Sequence, residues 1–392
     1  MEQVAALEAY DGLAGLLQAP KWPSYFQPAK MSSFVMHETA AINPGSTILV
    51  TGINGLIASH IADQLLAAGY NVRGTVRNLE KCAWMPSFFA NRHTSTNVTF
   101  KVVKVADMSL DGCFDDAVHS CAGVIHTTSS NEMQASSPEP TITNTVKTVM
   151  TCLESAAKEP SVQRFVLTSS AWAVSAPRPD TKFTVSPKDW NDQAIQDAYA
   201  TGTPASNGMS IFMAGKTMAE KECWRFMRER RPAFVFNAVL PDTTFGAVLS
   251  PEHQGIPSTA GLIRMLFDGQ GLDILQWVQP QYFIDTADCA RLHVAALVHP
   301  DAKDERLLGH AEPWNWNDVL AMFRKWFPDR DFPEDMQLGR DISTVETGKS
   351  LELLRDVYGQ EGWTSLEESV KGNVASFLHS NTQAQMALFG QY

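Results

Sequence analysis

Residues 46–60 read STILVTGINGLIASH, and most of what the chain can be follows from how that stretch folds. STILVTG is a short run rich in β-branched residues that stops at a glycine, which predicts a buried strand. LIASHIADQLLAAGY, residues 56–70, then spaces its apolar residues at helical intervals and stops at Gly69, a glycine suited to a helix end. Gly52, Gly55 and Ala58 lie where strand gives way to helix. A tight turn needs glycine, a phosphate approaching the backbone needs a missing side chain, and close packing of helix on strand needs a small third residue. The free N–H groups of the helix start would then face the phosphates. Three small residues alone are a weak signal. Flanked by a strand and a helix, they read as a dinucleotide-binding turn, with a purely structural turn as the alternative.

The same alternation continues downstream. NVRGTV, TFKVVKV, GVIHTT, RFVLTSS and AFVFNAVL are further strand candidates, and TITNTVKTVMTCLESAAK and KTMAEKECWRFMRER are helical stretches between them. Strands alternating with helices imply an α/β fold, a Rossmann-type doubly wound parallel sheet covered on both faces. After Pro241 the rhythm loosens into loops such as SPEHQGIPSTAG and HAEPWNWND, with helices expected in STAGLIRMLFDG, DTADCARLHVAALVH, NDVLAMFRKWF and SLEESVKGNVASFL. The expected organisation is therefore a dinucleotide-binding Rossmann domain over 46–240 and a smaller C-terminal α/β region over 241–392. That second region is read as mainly substrate-binding and interleaved with the first. Residues 1–45 form an N-terminal extension, in which VAALEAYDGLAGLLQ reads as a short amphipathic helix. It is either a cap or dimer contact, or an over-long reading frame with Met31 and Met36 as alternative starts.

The totals exclude several classes. With 44% hydrophobic and 19% charged residues, the 392-residue chain has the composition of a soluble globular protein. A net charge of −12 argues against nucleic acid or an anionic membrane as the main partner. No apolar run reaches the ~18 residues of a membrane span. The first twenty residues hold Glu2, Glu8 and Asp11 and no basic segment, so they make a poor signal peptide. Cys82, Cys113, Cys121, Cys152, Cys223 and Cys289 form no CxxC pair and no zinc-type cluster with histidine. They read as reduced thiols of a cytoplasmic protein, and no metal is expected.

The strand NVRGTV is followed by Arg77 and Asn78, where an NAD site places Asp or Glu on the ribose hydroxyls. Arg77 would instead attract a 2′-phosphate, and Lys81, four residues on, would add a second charge. NADP (NADPH) is accordingly favoured as the cofactor, against the alternative of two solvated surface cations. Asp107, just past TFKVVKVA, suits a contact to the adenine edge, or equally a turn-forming aspartate.

Taken in order from about Ser46 to about Leu378, the pieces TGINGLIASH, VRGTVRN, ADMSLDGCFDDAVHSCAGVIH, PSVQRFVLTSSA, KTMAEKECWRFM, PDTTFG, YFIDTADCARLHVAAL and GWTSLEESV resemble an extended short-chain dehydrogenase/reductase of the NAD-dependent epimerase/dehydratase superfamily. Within it they are similar to the dihydroflavonol reductase-like branch, which includes fungal and yeast NADPH-dependent aldehyde and ketone reductases. The resemblance implies that Gly52, Gly55 and Ala58 form the pyrophosphate turn and that Arg77 and Lys81 receive the 2′-phosphate. It also implies that His126 and Thr127 pass beside the cofactor. Ser170 would hydrogen-bond the substrate carbonyl, Lys216 hold the nicotinamide ribose, and Pro241 lie beside the carboxamide. Each has a plainer reading: Ser170 as a cap, Lys216 as a helical surface lysine, Pro241 as a strand end, His126 as a packed histidine.

The departure from the family lies in SIFMAGK, residues 210–216. The family motif is Tyr-x-x-x-Lys, two residues on one helical face, with the lysine lowering the phenol pKa so that it can protonate the nascent alkoxide. Here Phe212 stands in the tyrosine position. Tyr199, in a stretch read as loop, and Tyr282 are the tyrosines weighed as substitutes. A second departure is Thr148, where the family has glycine. Three functions stay open. The first is an NADPH-dependent reductase of natural-product-type ketones or aldehydes in specialised metabolism, with an engineered Tyr-to-Phe trap as a variant of it. The second is a non-redox dehydratase, isomerase or cyclase on the same scaffold. The third is a non-catalytic NADP sensor. The expected partner is a small-molecule carbonyl substrate, and the chain is a monomer or homodimer. Most tryptophans and phenylalanines are expected in the core, while the two tryptophans of AEPWNWND suit either a helix start or a substrate wall.

Overall fold

The structure, a computed structural model, describes residues 34–35, 40–94, 97–128, 137–200 and 208–389. The helix expected near the N-terminus lies outside the described residues. Among the described residues there are twelve strands: β1 Thr47–Val50, β2 Asn71–Val76, β3 Phe100–Lys104, β4 Gly123–His126, β5 Arg164–Thr168, β6 Thr184–Val185, β7 Val235–Pro241, β8 Thr243–Phe245, β9 Gln281–Asp285, β10 Arg306–Gly309, β11 Pro313–Trp314 and β12 Thr344–Val345. The longer helices are α1 Leu56–Ala67, α2 Pro138–Lys158, α3 Asp192–Tyr199, α4 Gly208–Arg230, α5 Thr259–Phe267, α6 Thr286–Val298, α7 Trp316–Trp326, α8 Gly348–Tyr358 and α9 Leu366–Phe389.

Seven strands form one parallel sheet in the order β3-β2-β1-β4-β5-β7-β10. Chain order reverses between β1 and β4, the switch point at which ligands of such sheets bind. Strand alternation explains why both faces are covered. Ile48 and Val50 of β1 enter one core with Ile61 and Leu65 of α1, whereas Leu49 enters another with Val149, Cys152 and Leu153 of α2. β5 divides in the same way, Val166 to the first core and Phe165 and Leu167 to the second. Such strands are apolar on both sides, which is why they read as continuous hydrophobic runs.

All six strands expected from residues 46 to 240 are present. The seventh, β10, is a four-residue RLLG segment contributed from beyond Pro241, too short to show a periodicity of its own. A smaller sheet, β11-β9-β8, and a β12-β6 pair complete the strands. The third core is strongly aromatic, with Phe245, Phe283, Trp314, Trp316, Phe323 and Phe377 buried together. AEPWNWND resolves into a helix start. Asn315 and Asp318 form a reciprocal capping box at α7, and the Trp314 and Trp316 rings meet edge to face with centroids 4.6 Å apart.

Candidate active site

The turn after β1 is held in a shape that a side chain would spoil. Gly52 has φ +61°, and a Cβ there would come 2.4 Å from Thr128 Cγ2. Gly55 precedes α1, and its N–H donates to the Gly52 carbonyl at 2.9 Å. No side chain caps the start of α1, so its first N–H groups are left for a ligand, and Ala58 is buried where helix meets sheet. Thr51 ties this turn to the end of β4. Its Oγ1 accepts from the Thr127 N–H at 3.0 Å and lies 3.2 Å from His126 Nδ1, while Thr127 Oγ1 donates to the Thr51 carbonyl at 2.6 Å. A concave main-chain cradle, filled if Gly52 gained a Cβ, fits the pyrophosphate of a dinucleotide. His126 is fully buried and held neutral, its pKa pushed down to about 3 by burial and by the charge of Lys216.

Arg77 and Lys81 are exposed just beyond β2, and the Lys81 N–H is fixed by Asn78 Oδ1 at 3.2 Å. Asp107 is exposed too, and its Oδ1 accepts from the N–H and the hydroxyl of Ser109 at 2.9 and 2.7 Å. Those bonds hold its carboxyl below the usual range and mark it as a turn former.

Ser170, Phe212 and Lys216 converge behind the end of β5. Ser170 opens a 3₁₀ turn, Ala171–Ala173, and its Oγ accepts the Trp172 N–H at 3.2 Å, which leaves its own O–H free to aim at a ligand. The Trp172 ring stands edge to face on Phe212, with centroids 5.8 Å apart and planes at 89°. Lys216, one helical turn beyond Phe212, donates from Nζ to the Thr168 carbonyl at 3.3 Å. Burial pushes its ammonium down to about 8, opposed by Glu220 one turn further along α4. Glu220 is itself pinned. It pairs with Arg306 of β10 at 2.6 Å and accepts from Ser169 Oγ at 2.6 Å and from Trp224 Nε1 at 3.0 Å. Pro241 closes β7 at the same edge of the sheet, opposite Gly309.

The helix that carries this motif lies close to its neighbour. A Cβ on Gly215 would sit 3.4 Å from Thr145 Oγ1 of α2. Thr148 is accommodated by turning its hydroxyl onto the Thr145 carbonyl of its own helix, at 2.9 Å. Neither weighed tyrosine offers its phenol to the vacant role. Tyr199 is the last residue of α3 rather than part of a loop, and it donates to Glu139 at 3.0 Å. Tyr282 donates to the Ser343 carbonyl at 2.9 Å.

Residues 48–309 match the model of the family described as "NAD dependent epimerase/dehydratase family". The chain belongs to this family. It is 37% identical over 342 residues to aldehyde reductase 2 of Sporidiobolus salmonicolor, covering 86% of this chain and 98% of that protein. It is 34% identical to the ketoreductase adrE of Penicillium rubens, covering 85% and 97%. Among solved structures, Gre2 from Candida albicans in complex with NADPH superposes with a TM-score of 0.73 at 24% identity, covering 86% of this chain and 99% of that one, which supports the fold.

This family member also holds a polar cluster that the sequence reading did not single out. Asp242 follows Pro241; its Oδ1 accepts the Thr243 N–H at 2.7 Å, and its Oδ2 lies 3.6 Å from His310 Nε2. Burial, reinforced by the charge of Asp341, pushes the Asp242 carboxyl up to about 8, while burial pushes His310 down to about 3. Gln281 accepts the Trp172 indole N–H at 3.0 Å, so the cluster touches the ring that covers Phe212. Glu220 was within reach of sequence reasoning, since it lies four residues after Lys216 on the same helical face. Gln281 and His310 carried no local signal. Among the described residues, no helix is long and apolar enough to cross a membrane, and no cluster of three or more His, Cys, Asp or Glu side chains could hold a metal ion.

Proposed function

We propose that this chain is an NADPH-dependent reductase of ketones or aldehydes of natural-product type, serving specialised metabolism, with residues 241–392 supplying most of the substrate-binding surface. The carrying observation is that Ser170 and Lys216 lie behind β5 at the sheet edge that also bears the Gly52–Ala58 turn. The curated relatives named as an aldehyde reductase and a ketoreductase support the same chemistry. Arg77 and Lys81, with no acidic residue at the end of β2, support NADPH over NADH.

NADPH, when bound at the turn, supplies the hydride that reduces the carbonyl carbon. The chain contributes the rest. The Ser170 hydroxyl donates to the carbonyl oxygen and draws charge onto it. Lys216, near its midpoint at about pH 8, holds the proton that this oxygen needs, and Ser170 or a water in the space of the missing phenol hands it over. Phe212 keeps the ring against Trp172 but can transfer nothing.

Phe212 also supports a second reading, a non-redox enzyme or an NADP sensor on the same scaffold. NADPH consumption at 340 nm over a panel of aldehydes and ketones separates the readings. The reductase oxidises NADPH in step with alcohol formation. Substrate conversion without net NADPH loss, or NADP binding with no turnover in either the native chain or Phe212→Tyr, would sink it.

A further inference from the structure

Gln254 ends a short helical turn, Pro251–Gln254, in the C-terminal region, yet it reaches the turn that follows β1, 200 residues earlier in the chain. Its Nε2 donates to the Asn54 carbonyl at 2.9 Å and to Ser59 Oγ at 3.1 Å, and its Oε1 accepts the Ser250 N–H at 3.0 Å. A carbonyl only accepts and a main-chain N–H only donates, so both ends of the Gln254 amide are oriented by their partners.

This contact is part of a wider strap. His60 Nε2, on α1, donates to the Ala247 carbonyl at 2.8 Å. Leu56, the first residue of α1, packs with Val248, Ala260 and Ile256. His253 stacks on Trp84, with centroids 4.6 Å apart and planes at 13°. Residues 247–260 therefore run across the start of α1 and touch the chain that follows β2. Backbone strain marks the same segment. Ser258 has φ +55° and ψ −138°, a conformation that a residue other than glycine keeps only when its surroundings hold it there.

What Gln254 grips is one peptide unit. The Asn54 carbonyl is held by Gln254, and the N–H of the next residue, Gly55, is held by the Gly52 carbonyl at 2.9 Å. Glycine tolerates more than one backbone orientation, so the turn residues alone do not select this one. A carbonyl oxygen swung toward the cradle would set a negative dipole against the phosphates that the N–H groups of α1 attract. Releasing the grip would thus weaken the cradle without filling it.

We propose that Gln254 is a positioning residue of the cofactor site: it locks the Asn54–Gly55 peptide so that the turn presents N–H groups, and not an oxygen, to the pyrophosphate. The proposal rests on the dinucleotide reading of Gly52–Ala58 and deepens it, because it makes a residue of the C-terminal region a support of that turn.

Calorimetric titration of the full chain with NADP⁺ and with NAD⁺ tests it, beside the melting temperature of the unliganded protein. Gln254→Met removes both donors and should weaken NADP⁺ binding about tenfold, the worth of one or two neutral hydrogen bonds. NAD⁺ should weaken by the same factor, because both dinucleotides carry the pyrophosphate, so the preference between them stays native. The unliganded variant should melt within about 2 °C of the native chain. Gln254→Glu keeps an acceptor for the Ser250 N–H but offers the Asn54 carbonyl no donor, and should lose at least as much affinity. Native affinity in either variant overturns the proposal. A loss that comes with a larger fall in melting temperature, or with an altered preference, overturns it too and leaves residues 247–260 as a purely structural strap. A native chain that binds neither dinucleotide removes the dinucleotide reading itself, whereas native binding with unaffected variants removes only the role of Gln254.

Discussion

The turn after β1 and the helix α4 meet the same edge of the sheet, but their functions are stored differently. At Gly52–Ala58 the main chain itself forms the cradle, and the conformation that makes the cradle also makes the fold. At position 212 the proposed proton-donor role would sit on one oxygen atom of one side chain, which Phe212 lacks. Without that atom the ring still packs on Trp172, Lys216 still reaches the Thr168 carbonyl, and Glu220 still holds Ser169 and Arg306. A function carried by backbone geometry is protected by the stability of the fold. A function carried by a terminal atom can be lost with almost no packing consequence.

The largest effect should come from restoring the atom. Phe212→Tyr should raise kcat/KM for carbonyl reduction by roughly 10²–10⁴, the usual worth of a general acid. Thermal stability should change little, and steady-state kinetics with differential scanning fluorimetry would read both. A gain below tenfold would mean that Ser170 and Lys216 already deliver the proton efficiently, and the contrast between the two regions would weaken.

Gly52→Val attacks the other side of the comparison. A β-branched residue at φ +61°, with its Cβ pressed toward Thr128, adds backbone strain and a clash. NADP⁺ affinity should fall on the order of 10²-fold by calorimetric titration. Arg77→Glu acts on one side-chain contact at the exposed rim. It should cost about tenfold in preference for NADP⁺ over NAD⁺, the worth of one charge-assisted hydrogen bond. An unchanged preference would return Arg77 to the surface.

The smallest effect concerns Asp242. Folded protein keeps its proton up to about pH 8, whereas the unfolded chain releases it in the ordinary carboxylate range. Folding therefore loses stability from this group as pH rises through that interval. Asp242→Asn removes the loss. Its Tm relative to the native chain should be near zero at pH 4 and rise by about a few degrees toward pH 9. Asp285, whose carboxyl burial pushes up to about 7, contributes the same slope to both proteins and cancels. A Tm difference that does not vary with pH would mean that Asp242 ionises normally in the fold.

Six strands of residues 46–240 announced themselves because the central ones are apolar on both faces and all six lie between helices with their own period, whereas the two-residue β6 did not. Gly52 could be named because turn chemistry is a local property of a chain, and Phe212 and Lys216 because the resemblance supplied a motif whose two positions share one helical face. β10 could not, since four residues have no period; it pairs with β7, and its Arg306 reaches Glu220 across 86 residues of chain. The union of Trp172 with Gln281, 109 residues apart, was equally invisible. So was the depth of burial that keeps Asp242 protonated. What the sequence by itself determined is the set of local conformations and the chemical types they present. Which distant polar groups share one buried cavity, and with what charge, was decided only by tertiary packing, because desolvation belongs to the surroundings of a residue and not to its neighbours in the chain.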